Sequence, residues 1–238
     1  MCPQVTALYT AAMADTFQRA RSEEQRAVRR RAILDTTAAM LGEMPVAQVS
    51  LNELSRRVGL AKSNVLRYFE SREAVLLELL ATASQELLDH LDTALAEAVD
   101  ADAPVVERGD RVAAALADAL AARPVLCDLV SAQAAVLERN VSTQVAAEHK
   151  RASIGHAFAL AHRVRLYVPE LDERDAVRFV AGGLMVVTAA WPHAHPSPAV
   201  LAVYESEPEL AVLRIDFTTA LRESLEVLMS GLLARAAH

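Results

Sequence analysis

The chain has 238 residues, 53% of them hydrophobic, 4% aromatic and 23% charged, with a formal net charge of −7. That length suffices for one large domain or two small ones. Its two cysteines, Cys2 and Cys127, are too few for a disulfide framework or a zinc site and fit a reducing cytoplasm. The longest uncharged apolar run, Phe179 to Trp191, has 13 residues, against the roughly 20 that a membrane span needs. With no secretory signal pattern at the N-terminus, the expectation is a cytoplasmic protein without a membrane partner. Leu, Ala and Val dominate, and no stretch alternates with period two for long, so the chain is predicted to be all-α.

The acidity is uneven. Residues 1–80 carry eleven Lys/Arg against nine Asp/Glu, and the remainder carry thirteen against twenty-two. An acidic body with a mildly basic N-terminal third suits a protein that meets nucleic acid at one end only.

Residues 1–21 stand ahead of the first predicted helix as an extension. The stretch "TFQRARSEEQRAVRRR" reads either as a basic arm lying on DNA or as a frayed end. A first helix is predicted from Ser22 to Leu41, with Ala27, Ile33, Leu34, Ala38 and Leu41 on its apolar side and Arg29, Arg30 and Arg31 on its polar side. Ser50 followed by Glu53 forms a capping box for a second helix bearing Leu51, Leu54 and Val58, and Gly59 ends it. A third short helix spans about Lys62 to Phe69, and Ser71 caps a fourth that runs towards Asp100. Prolines then separate helical segments at 105–122, 124–139, 143–167, 172–191 and 209–235.

Two short helices around a glycine turn fit a helix-turn-helix, whose second helix enters the major groove. On the third helix, at about 100° per residue, Phe69 lies beside Val65 while Ser63, Asn64 and Arg67 fall on the far side. Arg suits guanine, Asn suits adenine, and Ser serves a base or a phosphate. Lys62 and the Tyr68 hydroxyl are placed to reach phosphates. From composition alone, an ordinary solvated helix reads equally well.

The run "SLNELSRRVGLAKSNVLRYFESREAVLLELL", residues 50–80, resembles the DNA-binding region of the tetracycline-repressor (TetR) family. Gly59, Lys62, Tyr68, Phe69, Ser71, Arg72, Glu73 and Leu76 match that pattern in order, and "RRRAIL" matches upstream. The chain departs from it at Ala61, where many members have a Ser or Thr cap, and at Leu66, where many have a second tyrosine. The resemblance implies a three-helix DNA-binding domain over 22–80, joined by the fourth helix to a larger bundle over 81–238. It also implies a homodimeric, ligand-controlled regulator, usually a repressor, acting on a double-stranded operator. The DNA-contacting residues would then be Ser50, Lys62, Ser63, Asn64, Arg67 and Tyr68.

By the same resemblance a small-molecule effector would occupy the C-terminal bundle. Residues combining apolar bulk with a polar tip are the candidate lining: Cys127, His156, Phe158, His162, Tyr167, Met185 and Trp191. Two adjacent glycines inside a helix cost roughly 1 kcal/mol each relative to Ala. Close helix packing at Gly182 and Gly183 would offset this, either within the chain or across the dimer interface that the family builds from its last two long helices. Phe217, Leu221, Leu225 and Leu228 would share that interface.

An enzyme is not expected. The sequence has no GxGxxG or phosphate-cradling Gly-Lys-Ser loop, and Cys127 lies in "PVLCDLV" without a neighbouring His. His193 and His195 sit in a proline-rich loop without Cys or carboxylate partners, so neither metal nor cofactor is expected. The alternative function is a DNA-binding or protein-interaction module that needs no effector and whose bundle only dimerises.

Overall fold

The computed structural model describes residues 23–236, and every regular element among them is helical. The helices are α1 (23–41), α2 (Leu51–Val58), α3 (Lys62–Val65), α4 (Arg72–Ala98), α5 (Val105–Ala121), α6 (Pro124–Ala132), α7 (Thr143–Tyr167), α8 (Glu173–Ala194), α9 (Pro198–Ser206) and α10 (Phe217–Ala236). Residues 1–22 lie outside the described residues, while 23–31, the second half of the stretch read as a basic arm or a frayed end, form the start of α1.

The N-terminal unit closes around the apolar side of α1. Ile33, Leu34, Thr37, Met40 and Leu41 are buried there, while Ala27 is exposed. Thr37 can enter the core because its hydroxyl donates to the Ile33 carbonyl one turn back. Ser50 caps α2 by accepting from the Glu53 amide at 3.2 Å. The capping box is only half made, because the Glu53 carboxylate instead accepts from Arg56 and Arg57. Those two guanidiniums, Arg56 first, hold the Glu53 carboxyl down at about 2. Gly59 ends α2 at φ 71°, in the left-handed region.

α4 belongs to both halves of the molecule. Ala74, Val75, Leu76 and Leu77 near its start and Leu87, Leu88, Leu91 and Leu95 further on are all buried. The C-terminal bundle surrounds the second half of α4, with α10 packed on α5 and α8, and α7 packed on α4 and α8. A buried Arg108 ties this bundle together, donating to the Ala103 and Tyr167 carbonyls and to Glu170.

Three stretches differ from the sequence reading. The segment predicted as one helix over 124–139 is α6 followed by a π-helical turn, Gln133–Leu137. The segment 209–235 divides: Pro208–Leu213 is a 3-10 turn, and α10 starts only at Phe217 because Asp216 accepts from the Thr219 amide at 2.8 Å as its cap. Leu210 and Leu213 are therefore exposed instead of joining the α10 stripe. A further helix, α9, fills the expected loop, with Ser197 as cap and Pro198 in its first turn.

A methyl group on Gly59 would meet nothing within 4 Å, so its replacement tests the backbone alone. Gly59→Ala should lower stability by about 1–2 kcal/mol through the unfavourable positive φ. An unchanged urea midpoint would show that the turn between α2 and α3 tolerates a side chain.

Candidate nucleic-acid interface and ligand cavity

α3 has four residues, too few to persist alone, so it depends on what lies beneath it. Val65 is fully buried and Phe69 nearly so, while Lys62, Ser63, Asn64 and Arg67 are exposed and Tyr68 is half-buried. After Val65 the chain continues in tight turns, with Arg67, Tyr68 and Phe69 amides bonded to the Asn64 and Val65 carbonyls. Ala61 offers α3 no side-chain cap. The outward face of Ser63, Asn64 and Arg67 read from the sequence is therefore the face the fold presents. Ser50 is also exposed, at the start of α2. Leu66 is 41% exposed and adds an apolar edge to this surface.

Arg30 of α1 holds the far end of this unit. Its guanidinium lies 4.2 Å from the centre of the Phe69 ring, donates to the Tyr68 carbonyl, and pairs with Glu78 of α4. One side chain thus joins α1, the end of the α3 turn and α4. Of the three arginines read as a polar stripe, Arg30 is structural, while Arg31 pairs with Asp35 on the surface of α1.

Among the described residues two hydrogen bonds link this unit to the bundle, one from the Val46 amide and one from the Ser142 amide. The Val46 amide donates to Asp128 of α6 at 2.9 Å, and its carbonyl accepts from Arg72 of α4. The Ser142 amide, at the cap of α7, donates to Glu70 at 2.6 Å. Both Val46 and Glu70 flank the helix-turn-helix.

Inside the bundle lies a cavity of about 160 Å³. α4 contributes Leu80, Ser84, Leu87 and Leu88, and α7 contributes Ser153, His156, Ala157 and Leu160. Phe179, Val180, Gly183 and Val187 of α8 and Leu221 and Leu225 of α10 face it from the other side, with Gln133 of the π-turn at its wall. Burial lowers the His156 pKa, which favours the neutral imidazole.

Of the seven predicted lining residues, only His156 faces this cavity. Cys127 is buried elsewhere, its thiol donating to the Leu120 carbonyl and pushed up to about 12, chiefly by burial. Phe158 and His162 lie on the outer surface of α7. Tyr167 is half-buried and uses its carbonyl to hold Arg108. Met185 points outward, 70% exposed. Trp191 packs edge-on against Phe217 and lies over His195 at the other end of α8. The other polar-tipped candidates do not line this cavity, whose walls are mostly leucine and valine. The usable signal was the α4 spacing Leu80, Ser84, Leu87, Leu88, one face of a helix.

Several of the predicted interface residues lie inside the chain. Phe217, Leu221 and Leu225 are buried within the chain itself, and Leu228 is half-buried. A Cβ on Gly182 would come within 2.5 Å of a Leu228 methyl, and one on Gly183 within 2.9 Å of a Leu225 methyl. The glycines thus allow α8 to approach α10 inside one subunit. The outward side chains on these helices include Met185 and Val227.

Among the described residues no helix is long and apolar enough to cross a membrane, and no group of three His, Cys, Asp or Glu side chains is arranged to hold a metal.

The model for bacterial regulatory proteins of the tetR family matches residues 33–79, and that for the tetracyclin repressor-like C-terminal domain matches residues 81–236. Among curated proteins no match is found. Solved structures give the same fold. The fatty acid degradation regulator FadR from Bacillus halodurans is 19% identical, with a TM-score of 0.54 over 84% of this chain and 98% of that one. The transcriptional regulator FadR from Bacillus subtilis in complex with stearoyl-CoA is 16% identical, with a TM-score of 0.52 over 84% and 97%. A TetR transcriptional regulator from Rhodococcus sp. RHA1 is 13% identical, with a TM-score of 0.54 over 87% and 97%. With both family models together spanning most of its length, the chain belongs to the TetR family of transcriptional regulators.

Proposed function

We propose that this protein is a repressor that binds a palindromic operator as a homodimer and is released by a small, largely apolar effector. The observation that carries the reading is α4. Its first turns are buried in the DNA-binding unit, and Leu80, Ser84, Leu87 and Leu88 line the bundle cavity. Whatever fills the cavity therefore presses on the helix whose first turns belong to the DNA-binding unit. The complex of Bacillus subtilis FadR with stearoyl-CoA supports an apolar effector class for a protein of this fold.

On DNA, Ser63, Asn64 and Arg67 read base edges in the major groove, while Ser50, Lys62 and Tyr68 contact phosphates. Arg67→Ala should relax base preference at one position, at a cost of about 1–3 kcal/mol. Tyr68→Phe should weaken binding by a similar factor on every sequence. Selection of binding sites from random DNA reads both effects, and an Arg67→Ala protein with unchanged preference and affinity would remove α3 from the recognition role.

Operator release distinguishes the effector reading from a module whose bundle only dimerises. Genomic footprinting with the purified protein supplies the operator, and its neighbouring genes suggest compounds for a mobility-shift assay. Release by a compound that leaves a cavity-filled variant, Ala157→Phe, on DNA supports effector control. No release across a broad apolar library supports the module instead.

The two copies meet through the outward faces of α8 and α10. Met185→Glu should yield monomers on a sizing column with weakened operator binding, since each half-site would then be held alone. A Met185→Glu protein that still runs as a dimer would place the interface elsewhere.

A further inference from the structure

The cavity has a chemistry narrower than "apolar". No Asp, Glu, Lys or Arg lines it, and its polar side chains are Ser84, Gln133, Ser153 and His156. Ser84 is committed to its own helix, donating to the Leu80 carbonyl at 2.8 Å. That leaves three uncharged groups for a ligand. A carboxylate or phosphate inside would lack a counter-ion, and an uncompensated buried charge is expensive. The volume, about 160 Å³, is close to that of an engineered cavity of about 150 Å³ that binds benzene. A long acyl chain is several times larger than that ligand and would need the bundle to open.

Gln133 is tied to a carboxylate outside the cavity wall. Gln133 donates to Glu138 at 2.8 Å, and Lys150 donates to the same oxygen at 2.7 Å. The Ser153 hydroxyl lies 3.4 Å from His149 Nε2, which lies 3.6 Å from that oxygen. His149 is itself buried, and its Nδ1 has no partner. The π-turn and α7 are thus latched through Glu138, four residues before the Ser142 amide that reaches Glu70 beside the helix-turn-helix. A hydroxyl or carbonyl group competing for Gln133 draws directly on that latch.

We infer that the effector is a neutral molecule of single-ring size bearing one hydroxyl or carbonyl group, recognised by Gln133, Ser153 and His156. This rests on the reading of the cavity as the effector site, and it narrows that reading to a chemical class that excludes free fatty acids and acyl-CoA.

The test uses the full chain with benzene, phenol, benzoate and stearoyl-CoA as probes, scored by thermal melting and by release from the footprinted operator. Phenol should raise the melting temperature by several degrees at low millimolar concentration, and more than benzene does. Benzoate and stearoyl-CoA should leave it unchanged. Gln133→Leu should erase the advantage of phenol over benzene while keeping the response to benzene, a split that simple loss of folding would not produce. Stabilisation by benzoate or stearoyl-CoA exceeding that by phenol would overturn the inference, as would no shift with any probe. Phenol binding without operator release would uphold the recognition chemistry and count against effector control, so the two readings fail separately.

Discussion

The structure depends on α4 being a single helix with apolar side chains over nearly its whole length. Each fully buried leucine contributes about 1.5–3 kcal/mol, and α4 distributes such residues between two cores. Ala74 to Leu77 anchor the DNA-binding unit, and Leu87 to Leu95 anchor the bundle. Neither unit can swing away without exposing one end of this stripe. The hydrogen bond from the Val46 amide to Asp128 of α6 reinforces the connection, and Arg72 at the start of α4 holds the Val46 carbonyl within the DNA-binding unit. On the proposed effector control, motion at the cavity wall would be passed on to the helix-turn-helix by packing instead of being absorbed by a flexible linker.

α3 shows how little of a functional surface needs intrinsic stability. Four residues and an uncapped start give it no helical persistence. Its shape comes from Val65 and Phe69 beneath and from Arg30 behind, whose charge is spread over an aromatic face, a carbonyl and Glu78. The exposed side chains of Ser63, Asn64 and Arg67 can then be entirely polar, because none of them is needed to hold the helix. The missing cap at Ala61 is offset by tertiary contacts.

The helices and turn of the helix-turn-helix were legible from local rules, a Ser cap, a glycine stop and a buried pair four residues apart, while their role on DNA came from the family resemblance over residues 50–80. The bundle was less so. Apolar residues at helical spacing show that a helix has a buried face, not which neighbour covers it. Gly182 and Gly183 announced a close approach, but only the tertiary arrangement revealed that α10 of the same chain makes it. The lining of the cavity was not legible for a related reason. It is bounded by ordinary core residues that fail to meet, and a gap between leucines leaves no mark in their identities. The Asp216 cap escaped notice because it lies inside the predicted segment 209–235, where Leu210, Leu213, Phe217 and Leu221 keep helical spacing across it.

The misassigned residues still say something about mechanism. Gly183, Leu221 and Leu225, expected between subunits, instead form the cavity wall on α8 and α10. Met185 and Val227 project outward from those same helices. Each helix is therefore lined by the cavity on one side and faces outward on the other, the side proposed for the second copy. Close packing transmits small displacements because interiors have little free volume to absorb them. A ligand that moves α8 against α10 would shift the outward faces too, and with them the separation of two α3 helices. Half-sites must lie about one turn of DNA apart, roughly 34–36 Å, or a multiple of it, so a change of a few ångströms in that separation is enough to mismatch the operator. On the proposed dimer, the α4 route and the α8–α10 route would act in the same direction.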